Sequence, residues 1–274
     1  MIKVPATTAA AVGRNARASL DFDAKLAQTQ ALLVQAAKAY PVVEGKSQIT
    51  QASSLGAEDM VISHVIHGLG LEIGIFVLET GMLHDETMAL LADLKAAASL
   101  SGNVPVQVYT PVHEAVVNFV KREGKDPMYR SIELRKACCN IRKMEPLQRA
   151  LDGKKAWVTG LRREQSDARA DVPLTDSSDP SRIKFNPLAN WTWGDVWHYI
   201  GQNNVAYNAL HDQFYPSIGC APCTRAISQG EDFRAGRWWW EAALEGGAAK
   251  ECGLHVNVSS LNVSSPLPTE EVTT

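Results

Sequence analysis

The chain has 274 residues, of which 45% are hydrophobic, and a formal net charge of −3 at pH 7. That length accommodates one large domain with flexible ends, and the near-neutral charge excludes wholesale polyanion binding of the kind a non-specific nucleic-acid protein needs. No run approaches the ~20 apolar residues needed to cross a bilayer, so no nucleic acid and no membrane is expected as partner, and the expected location is cytoplasmic.

The first twenty residues lack acids and carry Arg14 and Arg17. They show no secretory apolar core and are read as a flexible arm (1–20) rather than an organelle transit peptide. Residues 22–40 have helical spacing of Leu26, Leu32, Leu33, Ala36 and Ala37, with Pro41 as the stop. Short apolar runs and helical segments then alternate. SQITQAS reads as a strand and AEDMVISHVIHGLG as a helix; EIGIFVLETG is a strand, HDETMALLADLKAAAS a helix. VPVQVYTP, KKAWVTGLRR and RIKFNPLA supply three more strands. This alternation predicts an α/β fold: a parallel twisted sheet with helices on both faces. Ligands of such sheets sit beyond the carboxyl ends of the strands, where SSLGAED, LETG and TGLRR fall. Beyond Asn186 the chain is rich in Trp and contains a CxxC, and it is read as an extension that packs on the sheet and completes the site. The domain is expected to span 21–256, followed by a flexible tail (257–274) rich in Ser, Thr and Val.

Five cysteines is an odd count, which in a cytosolic protein argues against a disulfide framework and for four metal thiolates plus one working thiol. Cys138 and Cys139 are adjacent; Cys220 and Cys223 form the CxxC. A CxxC alone fits zinc, an iron–sulfur cluster or a redox dithiol. The adjacent pair is unusual for zinc, whereas a helix-like turn could aim both thiols at a cubane that needs one ligand per iron. Structural zinc, and thiols buried as small hydrophobes, remain as alternatives. Cys252, in KECGLH, stands apart, with Lys250 and His255 close enough in sequence to lower a thiol pKa. A spectator surface thiol is the competing reading.

SSLGAED joins a strand to a helix whose first N–H groups can face an anion; a plain turn capped by Ser, with Glu58 and Asp59 complementing the dipole, reads equally well. The GK[ST] ending of a Walker loop is absent. Arg162, Arg163 and Arg169 follow a strand, Arg142 and Lys143 follow the Cys pair, and Arg234 and Arg237 are three apart, hence on one side if helical. Gathered at one sheet edge, these forks would suit phosphate or sulfate; scattered, they are a solvated surface. The WWW run at 238–240 is read as packing rather than base stacking.

Taken together, CCNIRKMEPL, SIGCAPCTRA, RAGRWWWE and KECGLH, with SSLGAED and LETG upstream, resemble the assimilatory adenylyl-sulfate reductases that carry an iron–sulfur cluster, in the wider 3′-phosphoadenylyl-sulfate reductase family. The resemblance covers about residues 20–256. It implies a fold like the adenine nucleotide alpha-hydrolases and ATP pyrophosphatases (HUP-like). It implies reduction of adenosine 5′-phosphosulfate to sulfite and AMP in sulfate assimilation and cysteine biosynthesis, with thioredoxin or glutaredoxin as donor. By the same resemblance Cys252 is the nucleophile that forms an S-sulfocysteine, and Cys138, Cys139, Cys220 and Cys223 hold a 4Fe–4S cluster. Lys143, Arg234, Arg237 and His255 match positions around the phosphosulfate; Ser53, Gly56, Ala57, Glu58 and Asp59 match the modified pyrophosphate loop. Leu78, Thr80 and Gly81, with Gly160 and Arg163, match nucleotide-facing segments. Two departures stand out: LETG where LDTG is common, and Leu55 where a small polar residue is common. No thioredoxin-like sequence follows residue 256, so a separate donor protein is implied, and a homo-oligomer is left open. The competing readings are a 3′-phosphoadenylyl-sulfate or dual-substrate reductase, a tRNA-thiolating enzyme, and a non-enzymatic cluster carrier.

Overall fold

The strands that read most clearly in the sequence make the centre of one sheet. Branched and aromatic residues in Ile49–Ser53, Gly74–Leu78 and Ala156–Val158 are buried on both faces, as central parallel strands require. The computed structural model describes residues 10–101 and 105–242. In chain order it runs α1 (Ala10–Asn15), α2 (Phe22–Ala39), a hairpin of β1 (Val42–Val43) and β2 (Lys46–Ser47), β3 (Ile49–Ser53), α3 (Ala57–Gly68), β4 (Gly74–Leu78) and α4 (Asp85–Ser101). It continues through β5 (Gln107–Tyr109), α5 (His113–Glu123), α6 (Ile132–Cys139), α7 (Glu145–Ala150), β6 (Ala156–Val158), β7 (Thr175–Asp176), β8 (Ile183–Phe185) and α8 (Trp193–Asn203). Short 3-10 turns follow α8, at Ala209–Gln213, Ala221–Cys223 and Trp239–Ala242.

The six-stranded sheet has the order β5-β4-β3-β6-β8-β7. β5, β4, β3, β6 and β8 are parallel, and each forms where the sequence predicts a strand. β7 departs from the all-parallel expectation: it pairs antiparallel with β8 and covers that edge. From β3 the chain steps one way to β4 and β5, then returns to place β6 and β8 on the other side. The switch point is therefore the crevice between β3 and β6, where open α/β sheets bind ligands.

Two helical regions lock this crevice. α3 carries nine buried residues, among them Met60, Val61, Ile62, Val65 and Ile66, because it is packed between the sheet and α8. α8 begins at a capping box of Thr192 and Asp195 and buries Val196, Trp197 and Ile200. The expected free arm differs from what is found. Residues 10–15 form α1 with Ala11 fully buried, and the following segment lies on the start of α8, where the Arg17 N–H donates to the Gly194 carbonyl and the Ser19 N–H to Asp195. The tail expected at 257–274 lies outside the described residues. Among the described residues no helix is long and apolar enough to cross a membrane.

Candidate active site

The floor of the crevice is the turn from β3 into α3. Leu55 adopts a left-handed conformation (φ 63°), which a branched side chain avoids unless its surroundings hold it there. They do: Leu55 is buried in the main core and anchors the turn. The Ser54 N–H and hydroxyl both donate to Asp59 Oδ2, at 2.7 Å each, and close the loop. Gly160, two residues past the end of β6, lies against the same helix start. A Cβ there would lie 2.4 Å from Asp59 Oδ1, so only glycine lets the two strand ends meet. Glu58 pairs with the fully buried Arg162 at 2.9 Å and accepts from Gln165 at 2.9 Å. Burial pushes the Asp59 carboxyl up to about 6, against the lowering effect of its Ser54 hydrogen bonds. The expectation of open N–H groups at this helix start changes at one position. The Ala57 N–H donates to His211 Nε2 at 3.2 Å. His211 in turn donates from Nδ1 to the Tyr215 carbonyl at 2.8 Å, and burial holds its pKa down to about 4, so the ring is neutral.

The cleft above this floor has a lining that is partly apolar and partly basic. Phe76, Val77, Leu78, Leu147 and Trp157 supply the apolar part of its lining; Lys143, Arg169, Arg234 and Arg237 supply the basic part. Of the residues expected at the site, Ser53, Gly56, Glu58, Asp59, Leu78, Thr80, Lys143, Gly160, Arg234 and Arg237 line this single cleft. Arg234 and Arg237 reach it from a non-helical turn, unlike the helical face their spacing suggested. That turn is laid along the CxxC segment: the Trp238 N–H donates to the Cys223 carbonyl (3.2 Å), and the Arg225 N–H to the Gly236 carbonyl (3.0 Å). Arg237 Nη1 donates to the Ile218 carbonyl at 3.0 Å, while its buried Nε has no partner. A Cβ at Gly219 would lie 2.3 Å from Arg237 Nη2, which gives the glycine of SIGC a steric reason.

Three expected residues are placed otherwise. Ala57 is engaged by His211. Gly81 is exposed at a turn (φ 70°) that Glu79 closes by accepting its N–H at 2.6 Å, so the longer acid of LETG still serves the turn. Arg163 faces outward to the Val172 carbonyl and Asn190. The buried guanidinium of the same cluster in the cleft is Arg169, held by Gln165 at 2.6 Å. Arg169, Gln165 and His211 are cleft residues that motif reading did not select. Arg169 was visible as one of three arginines, but His211 carries no local signal. Cys252 and His255 lie outside the described residues.

Beside the cleft lies a second, smaller pocket lined by all four remaining cysteines, Cys138, Cys139, Cys220 and Cys223, together with Met82, Met128, Arg135, Arg142 and Lys143. None is in a disulfide. The adjacent pair stands on the last turn of α6, which runs directly into a π-helical turn, Asn140–Met144, in which the Glu145 N–H donates to the Asn140 carbonyl. Pro146 explains the widening: it has no N–H, and its ring would strike the carbonyl four residues back in a regular helix. Burial pushes the Cys138 thiol up and the Cys223 thiol up to about 12, the neighbouring Cys220 adding to both, while Arg142 and Lys143 act the other way on Cys138. Thiolates here need positive charge, which fits a set of metal ligands. No three His, Cys, Asp or Glu among the described residues are grouped to hold a single ion. The Thr80 hydroxyl lies 3.3 Å from Cys220 Sγ, and Arg142 donates to the Thr80 carbonyl at 2.7 Å, so the loop after β4 joins the two pockets. Lys143 lines both. The three tryptophans pack: Trp238 is buried under Arg135, and Trp239 and Trp240 meet the Tyr129 ring tilted and edge-on.

A model of the phosphoadenosine phosphosulfate reductase domain matches residues 48–226. A protein named adenosine 5′-phosphosulfate reductase from Burkholderia cepacia is 46% identical over 86% of this chain and 89% of its own. One of the same name from Neisseria meningitidis serogroup B is 50% identical over 74% and 80%, and one from Allochromatium vinosum 49% over 76% and 78%. Among solved structures, a phosphoadenylyl-sulfate reductase from Candida auris, in a phosphate complex, is 29% identical with a TM-score of 0.56, covering 70% of this chain and 88% of that one. A Candida glabrata FMN adenylyltransferase, 13% identical with a TM-score of 0.50 over 85% and 78%, shares the HUP-like fold alone. The matched span runs from the strand that opens the crevice through both halves of the CxxC pocket, and on that footing the chain belongs to the phosphoadenosine phosphosulfate reductase family.

Proposed function

We propose that the protein reduces adenosine 5′-phosphosulfate to sulfite and AMP, in sulfate assimilation leading to cysteine. The observation that carries this reading is the basic cleft at the β3/β6 switch point sharing Lys143 with a pocket of four thiols. The relatives' names support the unphosphorylated substrate. The apolar lining residues suit a nucleobase, and Arg169, Arg234, Arg237 and Lys143 suit the phosphosulfate oxygens. His255 joins them in this reading.

A thiolate that attacks an anionic sulfur centre meets repulsion, so the cleft's cations must neutralise both the oxyanions and the leaving phosphate. The Cys252 thiolate forms a bond to the sulfate sulfur, the S–O bond to AMP breaks, and AMP leaves with that electron pair, giving an S-sulfocysteine. A thiolate of thioredoxin or glutaredoxin then attacks Cys252 Sγ. Sulfite leaves with the electrons of the S–S bond, and the donor's second thiol resolves the mixed disulfide. Both electrons come from the donor dithiol, which ends as a disulfide.

Cys138, Cys139, Cys220 and Cys223 would hold a 4Fe–4S cluster. Their buried, charge-demanding thiols and the cationic neighbours Arg142 and Lys143 fit that group. When bound it supplies structural cross-linking and a fixed charge distribution beside Lys143. This chemistry belongs to the reducing cytoplasm.

Mass spectrometry after anaerobic mixing with adenosine 5′-phosphosulfate tests the reading. A sulfite-sized adduct on Cys252, lost on adding reduced thioredoxin and absent from Cys252→Ser, is the expected result. An unmodified Cys252 with continued sulfite release would overturn the assigned nucleophile.

A further inference from the structure

Helix α1 lies at the opposite end of the chain from the cysteine motifs, yet it reaches the cleft through one intermediate turn. We propose that Arg14 and Asp212 are positioning residues of the nucleotide cleft, through which α1 fixes His211 and with it the start of α3. The proposal rests on the reductase reading for its substrate and on geometry for everything else.

The turn Ala209–Gln213 is gripped from two sides. On one, the Ala11 N–H donates to Asp212 Oδ1 at 2.6 Å, and Arg14 Nη2 donates to the carbonyls of His211 (2.8 Å) and Asp212 (3.2 Å). The Arg14 guanidinium also lies 4.3 Å from the centre of the Phe214 ring, where the chain reverses at φ 65°. On the other, the Tyr207 hydroxyl donates to Asp212 Oδ1 at 3.1 Å. Ala11 is fully buried, so α1 is seated rather than loosely apposed.

The consequence falls on His211. Its ring is walled by Trp197 and Trp193, with centroids 5.2 and 5.8 Å away, so the side chain has little room to adjust by itself. Its position follows the backbone of the turn that α1 holds. Nδ1 is committed to the Tyr215 carbonyl, and Nε2 accepts the Ala57 N–H one residue after Gly56 and one before Glu58, both cleft-lining. A shift of the turn therefore passes to the cleft floor. The four thiols sit in the other pocket, whose lining includes none of these residues. Loosening α1 should accordingly weaken nucleotide binding while leaving the chemical step intact.

The test uses the full-length holoenzyme. In steady-state kinetics with adenosine 5′-phosphosulfate, Arg14→Ala and Asp212→Ala should raise KM about three- to tenfold, the scale of one or two lost hydrogen bonds. Per cofactor-loaded chain, kcat should stay within about twofold of wild type. Arg14→Lys keeps a donor and Asp212→Asn keeps the acceptor, and both should restore KM to within about twofold. A purely architectural role would lower the folded fraction and the apparent kcat but leave KM where it was, and that outcome overturns the proposal. A second readout is independent of the substrate. Long-range proton–nitrogen correlation of the His211 ring should show one Nδ1–H tautomer in the wild type and a mixture in the two alanine variants. An unchanged His211 spectrum also overturns the proposal. Loss of sulfite release in the wild type itself would instead sink the reductase reading.

Discussion

Asp59 lies in the first turn of α3 and His211 accepts from its first N–H, and burial shifts the two groups in opposite directions. In the folded protein burial lifts Asp59 to about 6 from an ordinary 3.8, and lowers His211 to about 4 from 6.5. The raised carboxyl adds stability that is fully present below about 3.8 and is lost as pH rises through about 6. The depressed imidazole adds stability that is present above about 6.5 and is lost as pH falls through about 4. Between those limits the two slopes oppose. Asp59→Asn removes the first and leaves the second, so its Tm relative to wild type should climb by a few degrees between about pH 3.8 and 6. Thermal unfolding across a pH series checks this, and a pH-independent offset between the two proteins would contradict it. At this scale the sequence was legible where chemistry is local. SSLGAED reads as strand, turn and helix, and Glu58, Asp59 and Gly160 do come together. It was opaque where a contact is made across more than a hundred residues, as between His211 and Ala57. Arg163 and Arg169 follow the same strand, and only the 3-10 turns between them decide which one is buried.

The adjacent cysteines posed a problem that belongs to the element. Neighbouring residues on a regular helix diverge by about 100°, and the sequence reading is that a helix-like turn could aim both thiols at one group. Both thiols stand on the last turn of α6, immediately ahead of the π turn Asn140–Met144 and Pro146. π-bulges recur at functional sites because they re-aim side chains without breaking the helix. Restoring an N–H at this position should let the segment close into regular α-helix and turn Lys143 and the Cys pair away from their shared pocket. If the four thiols hold the proposed iron–sulfur cluster, Pro146→Ala is expected to lose at least half of its iron and sulfide per chain after anaerobic purification, with the fold retained by circular dichroism. Full iron loading in that variant would show that the thiol geometry is set elsewhere. The proline was in plain view in CCNIRKMEPL, but its effect depends on whether the helix continues past it, which propensity alone does not decide. α1 was hidden for the related reason that six residues carry too little periodicity, and their helix is stabilised by α8 and the 209–213 turn.

Across the whole molecule, the order of the parallel strands follows from the alternation of strand and helix, and the crevice follows from that order. The antiparallel β7 at the edge was not legible, because a two-residue strand has no pattern to read. The attachment of the C-terminal extension was legible only as an expectation that it packs on the sheet. In fact it is fastened by a buried ion pair, Arg135 to Glu241 at 2.7 and 3.1 Å, with the guanidinium over Trp238. Removing one member leaves an unpaired buried charge, which costs about 3–5 kcal/mol. Glu241→Ala should lower the unfolding free energy by that order in denaturant titrations, and Glu241→Gln by less, since it still accepts from Arg135. A loss below about 1 kcal/mol in both would mean that the pair is not as dry as its burial suggests.

That ion pair also dictates when the site can come into being. Arg135 waits for a partner 106 positions later in the chain, and α1 for one 201 positions later. A ribosome delivers these residues in order and domains tend to fold as they emerge. A nascent chain that has reached the end of α8 can already pair every strand, yet it holds only two of the four pocket thiols and neither Arg234 nor Arg237. Assembly of the thiol pocket is thus a late, post-sheet event: a chain interrupted between α8 and Cys220 would carry every strand of the sheet but only half of the thiols and only part of the cleft's cations.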